Sequence, residues 1–383
     1  MKVLVNAFGI SSAGGITVLK KTIYEFLENQ ENQYYIFVFS NQNILYLVQE
    51  FNNIDNIHFK IYNDYGILFR LLRENLYFFS FVIRNNISLI YNFTGSRQLL
   101  FGIPVIVKIQ NLLFFTKKLD SIYFDNYKKI LWFKQIWLKR FIFLLMLKFT
   151  KNIEIQSIHV KEELSNFINV ENKNFFIKND FVVDQSQFSA PKQYDFTNEI
   201  TFLYVVGPHF SFPHKNIGDF VNTMIMLFNS GLNFHINVTL TYEELNRSGL
   251  WNDKLNKITS FLGYIDTNKR MKTLFCDNVI LISTSVTETL GLHVIEATQN
   301  GVLCIVPNES YSENVYGNSV LTYNLFDCES LKQTIMQLKS YKNSVCNGLI
   351  LDNQNYIRHN ENNKYCNSLS IFNDVLKKGK IDV

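Results

Sequence analysis

Short apolar stretches rich in β-branched and aromatic residues recur along the chain, separated by segments whose apolar positions return every three or four residues. In the first part, residues 2–7, 34–40, 57–62, 89–92, 104–109 and 153–156 read as buried strands, and 16–28 reads as a helix entered from a Ser/Gly loop at 9–15. Strands alternating with helices predict a parallel sheet covered on both faces. The stretch 172–198 is polar, carries Pro191 and lacks helical period, so it marks a domain junction. The alternation then restarts, with strands at 201–206, 234–239, 279–283 and 303–306 and helices at 218–229, 253–259 and 292–300. The pattern predicts an α/β protein of two Rossmann-like domains with parallel sheets facing across a cleft. The expected bounds are 1–180 and 195–355, with 356–383 as a C-terminal helix returning to the first domain.

Composition narrows the class. A length of 383 residues exceeds what one hydrophobic core usually serves, which agrees with two domains. Charged residues are 18% and aromatic residues 15%, a balance that excludes a disordered chain. The net charge of +4 comes without any run of five like charges, which argues against nucleic acid as a partner. Five cysteines (Cys276, Cys304, Cys328, Cys346 and Cys366) show no CxxC spacing and read as free thiols of a reducing compartment. The first apolar stretch meets Gly9 too soon for a signal peptide, and the longest apolar run, 141–147, is too short to span a bilayer. The expectation is a cytoplasmic protein.

Two loops carry candidate chemistry. Gly9-Ile10-Ser11-Ser12-Ala13-Gly14-Gly15-Ile16 joins a strand to a helix, where backbone N–H groups meet phosphate readily. It begins like a P-loop, but Gly15-Ile16 stands where Lys-Ser/Thr is required, and no GxGxxG occurs. A phosphate contact and a plain tight turn both remain open for it. The second loop, 283–297, follows a buried strand and holds Glu288 and Glu296 eight residues apart with Gly291 between them. Glu288 falls at the strand's end, where open α/β sheets bind ligands, and Glu296 about a turn into the next helix. Amides near Gly291 suit a diphosphate, and the two carboxylates suit sugar hydroxyls. The plainer alternative makes Glu288 a helix cap and Glu296 a solvated residue, although Val294, Ile295 and Ala297 surround the latter.

The segment from Glu288 to Glu296 resembles the E-x7-E motif of retaining glycosyltransferases of the GT-B fold, specifically glycosyltransferase family four (group 1 type). Four further places resemble that family. They are Leu203-Tyr204-Val205-Val206-Gly207 with His214-Lys215-Asn216, Phe261-Leu262-Gly263-Tyr264, Gly301-Val302-Leu303-Cys304-Ile305, and Gly14-Gly15-Ile16. The resemblance implies that Lys215 neutralises the leaving diphosphate and that Glu288 contacts the donor sugar. Glu296 would bind the nucleotide ribose. Gly14, Gly15, Gly207, Tyr264, Thr289, Leu290 and Gly291 would complete the donor site. Where many members carry an arginine soon after the first glycine, this chain has Pro208-His209, so either His209 or His214 would stand in for it or an arginine from elsewhere in the chain would reach in. Gln110 and Asn111 lie where members place His or His-Asp; they can hydrogen-bond an acceptor or sugar but cannot serve as a general base. No D-x-D occurs, and no metal or other cofactor is expected beyond the nucleotide-diphosphate sugar as co-substrate.

Residues 127–149 place Leu131, Leu138, Ile142, Leu145 and Phe149 on one stripe with ordinary core spacing. The other faces mix Trp132, Phe133, Trp137 and Phe143 with six Lys and Arg side chains, a composition suited to a membrane interface. Residues 66–84, with Phe78, Phe79 and Phe81, would extend that surface. The resulting expectation is a hexosyltransferase acting on a lipid-linked or oligosaccharide acceptor in O-antigen or capsule (bacterial surface polysaccharide) assembly. It would sit peripherally on the cytoplasmic face of the inner membrane. A nucleotide-sugar 2-epimerase and a non-catalytic binding subunit are the alternatives.

Overall fold

The computed structural model describes all residues except 11–12, 65, 99–101, 126–128, 182–187, 208–209, 266–271, 360–364, 366 and 380–383. His209, Cys366 and Tyr127 therefore lie outside the described residues. The chain forms two compact units. The first comprises 1–115, 130–181 and 361–383, and the second comprises 116–129 and 182–360. A short piece of the amino-terminal half, 116–129, thus groups with the second unit rather than with 1–180.

The first unit is built on seven parallel strands: β1 (Lys2–Asn6), β2 (Gln33–Phe39), β3 (Ile57–Tyr62), β4 (Leu89–Asn92), β5 (Val105–Ile109), β6 (Asn152–Ile155) and β7 (Asn174–Ile177). Their order is β3-β2-β1-β4-β5-β6-β7, so the direction of winding reverses between β1 and β4. Helices α1 (Ala13–Leu27) and α2 (Gln42–Phe51) cover one face through Leu19, Ile23, Ile44 and Leu47. The opposite face is covered by α4 (Phe78–Asn85), α7 (Leu138–Lys148) and α8 (Ile158–Ser165), with Phe78, Val82, Leu147 and Val160 inward. Helix α4 continues α3 (Ile67–Leu72) through the π-helical turn Arg73–Tyr77, and α7 continues α6 (Lys129–Trp132) through a second π-turn, Phe133–Trp137. Between these two helical rods in the chain, α5 (Lys118–Asp125) belongs to the second unit, where Lys118 pairs with Glu309.

The second unit has six parallel strands: β8 (Ile200–Tyr204), β9 (Phe234–Val238), β10 (Thr259–Phe261), β11 (Val279–Ile282), β12 (Leu303–Pro307) and β13 (Leu321–Tyr323). Their order, β10-β9-β8-β11-β12-β13, reverses between β8 and β11. Its helices include α9 (Ile217–Asn229), α10 (Tyr242–Ser248), α11 (Leu292–Gln299), α12 (Ser310–Tyr316), α13 (Cys328–Leu338) and α14 (Asn343–Arg358). The last described helix, α15 (Ser368–Gly379), lies in the first unit, where Ile371, Phe372 and Val375 join its core and the Ser368 N–H donates to Glu25 at 2.8 Å.

Three expectations change here. The polar stretch 172–198 contains β7, whose Asn174-Phe-Phe-Ile segment pairs in parallel with β6. Gly14 and Gly15 lie in the first turn of α1 rather than in the loop before it. The predicted core stripe of 127–149 faces outward, with Leu131, Leu138, Leu145 and Phe149 all more than two-fifths exposed. The buried positions are Ile136, Arg140, Met146 and Leu147. Two physical causes combine. The segment is apolar around most of its circumference, so periodicity alone does not select a face. The π-turn also adds a residue to one turn and rotates the next turns of the helix about its axis. Arg140 is held inside because its Nε donates to the Phe114 carbonyl at 2.9 Å.

Buried charge is concentrated in the first unit. Lys108 on β5 has no exposed surface and donates to Glu154 at 2.8 Å and Asp180 at 2.7 Å. Lys178 is equally buried and pairs with Glu25 at 2.9 Å and Asp180 at 3.0 Å. Tyr91 and Gln156 donate to the remaining carboxylate oxygens of Glu154 and Asp180 at 2.8 and 2.7 Å. Asp180 is pulled by burial towards its neutral form, but Lys108 and Lys178 hold it well below the usual carboxylate range. Such a network survives burial only because each charge finds partners of opposite sign.

Candidate functional site

The second unit places its chemistry at the carboxyl ends of β8, β9 and β11, on either side of the point where winding reverses. After β8 the chain runs through Val205, Val206 and Gly207 to a 3-10 turn, Pro213–Lys215, and Asn216 then takes a left-handed conformation (φ 46°, ψ 44°) that starts α9. Asn tolerates that conformation better than most residues. The turn is stitched to the loop after β11. The Val286 N–H donates to the His214 carbonyl at 2.8 Å, and Thr284 Oγ1 donates to the Lys215 carbonyl at 2.8 Å. With its backbone fixed from both sides, Lys215 donates through Nζ to Glu288 Oε1 at 2.6 Å. The two side chains remain 25% and 17% exposed, so the pair can be reached by a ligand.

Gly291 caps α11 with φ 57°, and a Cβ there would collide with the Tyr316 hydroxyl, so this position takes only glycine. The helix beyond it presents His293 and Glu296 three apart, hence on one side. Burial lowers the His293 imidazole to about 4 despite the pull of Glu288, so it is neutral at pH 7, with Nε2 3.1 Å from Ser283 Oγ. Burial alone would raise the Glu288 carboxyl, but Lys215 and then His293 hold it down at about 2. Glu296 is raised by burial and has no side-chain partner among the described residues. Val205, Val206, Gly207, Lys215, Thr239, Tyr264, Ile265 and His293 line a cavity of about 220 Å³ at these strand ends. The Tyr264 ring is 60% exposed there, following Gly263 at φ 67°.

Of the residues singled out from sequence, Gly207, Lys215 and Tyr264 line this cavity, and Glu288 joins them through its ion pair with Lys215. Thr289, Leu290, Gly291 and Glu296 do not line it. Leu290 is buried, which leaves only its backbone to meet a ligand. His214 serves the site through its carbonyl. Gly14, Gly15, Gln110 and Asn111 belong to the first unit; Asn111 Oδ1 accepts from the Leu113 N–H at 2.8 Å, an ordinary turn. Sequence reasoning passed over His293, although its place two residues after the helix-capping glycine and three before Glu296 was a usable signal. Among the described residues, no group of three His, Cys, Asp or Glu side chains is placed to hold a metal ion.

No family model matches the sequence, and no curated protein matches it significantly. Solved structures do. Sucrose-phosphate synthase from Thermosynechococcus elongatus superposes with a TM-score of 0.69 at 13% identity, over 100% of this chain and 98% of that one. The lipopolysaccharide outer core galactosyltransferase WaaB gives 0.63 at 13% identity over 99% and 100%. Anabaena HepE, solved with UDP and glucose, gives 0.62 at 11% identity over 99% of each chain. The two parallel-sheet units define the GT-B fold, shared with these glycosyltransferases along the chain's full length.

Proposed function

We propose that this chain is a retaining, metal-independent glycosyltransferase that moves a hexosyl group from a nucleotide-diphosphate sugar to a glycan acceptor. The observation that carries this reading is Lys215, fixed at its backbone and held by Glu288 beside the cavity bounded by Gly207, Tyr264 and His293. An arriving diphosphate competes with Glu288 for Lys215. As the bond from the sugar's anomeric carbon to the diphosphate breaks, Lys215 and the amides starting α11 neutralise the oxygen charge that develops. Glu288, released from its ion pair, accepts hydrogen bonds from the donor sugar, and Glu296 accepts from the ribose. The new bond joins the same carbon to the acceptor oxygen on the same face, and the acceptor proton passes to the departing diphosphate. Gln110 and Asn111 offer no base that would take it. The fold it shares with HepE, which was solved with UDP and glucose, and with WaaB supports a nucleotide-sugar donor and a glycan product.

The acceptor in this reading is lipid-linked, in surface polysaccharide assembly, and the protein works at the cytoplasmic face of the inner membrane. Support comes from Ile130, Phe133, Trp137, Phe141 and Phe149, all at least 40% exposed among Lys129, Lys134, Lys139 and Lys148, with no acidic residue between. On the neighbouring rod Leu72, Leu76, Phe79 and Ile83 are exposed, whereas Phe78 is buried against the sheet. No described helix is long and apolar enough to cross a membrane. The decisive experiment incubates the purified chain with a panel of nucleotide sugars, with and without polyprenyl-diphosphate glycans, and follows nucleoside diphosphate release. Acceptor-dependent release that Lys215→Ala and Glu296→Ala abolish is the expected result. Acceptor-free interconversion of the sugars, or full activity in either variant, overturns it.

A further inference from the structure

The cavity at the strand ends of the second unit holds a balance of charge that a nucleotide sugar would upset. Among the described residues that line it, Lys215 is the only cation, and its Nζ is already paired with Glu288 Oε1 at 2.6 Å. Each phosphate of a nucleotide sugar is a diester, so it lacks the second ionisation at about 6 of a phosphate monoester and keeps its charge fixed around neutral pH. The ligand therefore brings two fixed negative charges to a pair that sums to zero. Glu288 cannot relieve the excess by taking a proton, because Lys215 and His293 hold its carboxyl at about 2.

His293 is the group placed to restore the balance. It is half-buried and lines the cavity together with Lys215, Gly207 and Tyr264. Its Nε2 lies 3.1 Å from Ser283 Oγ, and its Nδ1 has no hydrogen bond among the described residues. It is also the second residue of α11, where a positive charge opposes the helix dipole until an anion stands against it.

The charges acting on the ring come from two other elements: Glu288, in the loop after β11, and Lys215, in the 3-10 turn after β8. On its own helix, Glu296 stands three residues on, and Tyr264 is the titratable group that the loop after β10 adds to the cavity. β12 and α14 also pack on α11. They reach it through Cys304 at the Val294 carbonyl and Gln354 at the Thr298 carbonyl, and neither side chain brings a charge. Among these neighbours burial outweighs the pull of Glu288, and the imidazole is neutral at pH 7. An opposite charge within about 4–6 Å shifts a protonation equilibrium by a factor of about 10–1,000. Two phosphates in the cavity are therefore enough to carry the imidazole from about 4 into the neutral range.

We propose that His293 takes up a proton from solvent as a nucleotide sugar's diphosphate enters the cavity, and hydrogen-bonds as an imidazolium to a phosphate oxygen beside Lys215. The proton returns to solvent when the ligand leaves. This rests on the transferase reading and deepens it, because donor affinity is then set by pH through His293. The sign follows from the count of protons: the bound form holds one more than the free form, so affinity rises as pH falls.

The test is titration calorimetry on the full chain with UDP-glucose, GDP-mannose and dTDP-glucose. Each is run at about pH 6.5 in PIPES and in imidazole, two buffers with different heats of ionisation. Binding is expected to take up about 0.5–1 proton, and affinity to tighten about tenfold from pH 7.5 to pH 6. His293→Gln should abolish the uptake, flatten the pH dependence and weaken binding at pH 6 about fivefold or more. Should that variant not fold, NMR of the ring C–H signals of the seven histidines replaces it. One signal should move to the imidazolium position when the nucleotide sugar binds, and Ser283→Ala, which removes the Nε2 partner, should shift that same signal in the free protein. Binding without proton uptake, uptake retained in His293→Gln, or a moving signal that Ser283→Ala leaves untouched overturns this proposal alone. Failure of all three nucleotide sugars to bind overturns the transferase reading and this proposal with it.

Discussion

The two sheets reverse their winding in the same way and furnish the reversal differently. In the second unit the strand ends open on a cavity, and the Lys215–Glu288 pair beside it keeps 25% and 17% of its two side chains exposed. In the first, charge is driven inward. Lys108, Glu154, Lys178 and Asp180 have no exposed side-chain surface, and buried Glu74 accepts from both Arg70 Nε and Asn6 Nδ2. One arrangement keeps a cation available for a highly charged ligand. The other spends its charges on each other. The same fold thus sets its ion pairs at two depths, sealed in one unit and within reach of solvent in the other.

Variants placed on the two sides test this contrast. The largest effect is expected at the sealed network: Lys108→Met leaves Glu154 and Asp180 short of a buried cation, and urea unfolding should show a loss of about 3–5 kcal/mol. Nucleotide binding by the protein that remains folded should be unchanged. A loss below about 1 kcal/mol would mean that the network is not as tightly sealed as the distances indicate. Lys215→Ala should reverse the profile, with stability nearly unaltered and turnover reduced by about 10²–10³, the range for removing one group that stabilises developing charge.

A smaller effect is expected from pH. The His293 imidazole is lowered to about 4 by burial, so between pH 6.5 and 4 the unfolded chain takes up a proton that the folded chain refuses, and stability falls with pH. Glu288, depressed to about 2, adds a further loss only below pH 4.5. Unfolding free energies from urea titrations at pH 7 to pH 4 should decline in the parent and decline less in His293→Gln, the difference reaching about 1–3 kcal/mol at pH 4. Parallel curves would place His293 outside the folded site. The smallest effect is the addition of a chelator, which should leave transfer unchanged if Lys215 and the α11 amides supply the positive charge. Strict dependence on Mg2+ or Mn2+ would assign that work elsewhere.

Much of this was readable in the residues. Strands such as Ile57–Tyr62 and Leu89–Asn92 stand out because their apolar runs are short and sharply bounded. β7, β10 and β13 escaped because each has only three or four residues and lies in polar surroundings, where neighbours in the sheet rather than local pattern decide the conformation. In the site, Lys215 and Glu288 were legible one at a time from the stretches they belong to. Their ion pair was not, because 73 residues separate them and only the parallel packing of β8 beside β11 brings them together. Arg70 and Glu74 were hidden for the opposite reason. They sit in a helix whose leucines and phenylalanines suggest an apolar buried face, and the π-turn that puts the acid inside leaves no mark on composition.

The return of α15 to the first unit has a consequence for the order in which the protein is made. Residues 182–360 emerge from the ribosome as one run and hold nearly all of the second unit, whereas the β1–β4 face of the first lacks Ile371, Phe372 and Val375 until synthesis has passed through that entire run. The amino-terminal half is therefore expected to wait, with an apolar face uncovered, while the half translated after it completes its folding. A ribosome-stalled chain halted at residue 360 should bind a hydrophobic dye at the first unit and lose that binding once translation is completed and the chain is released.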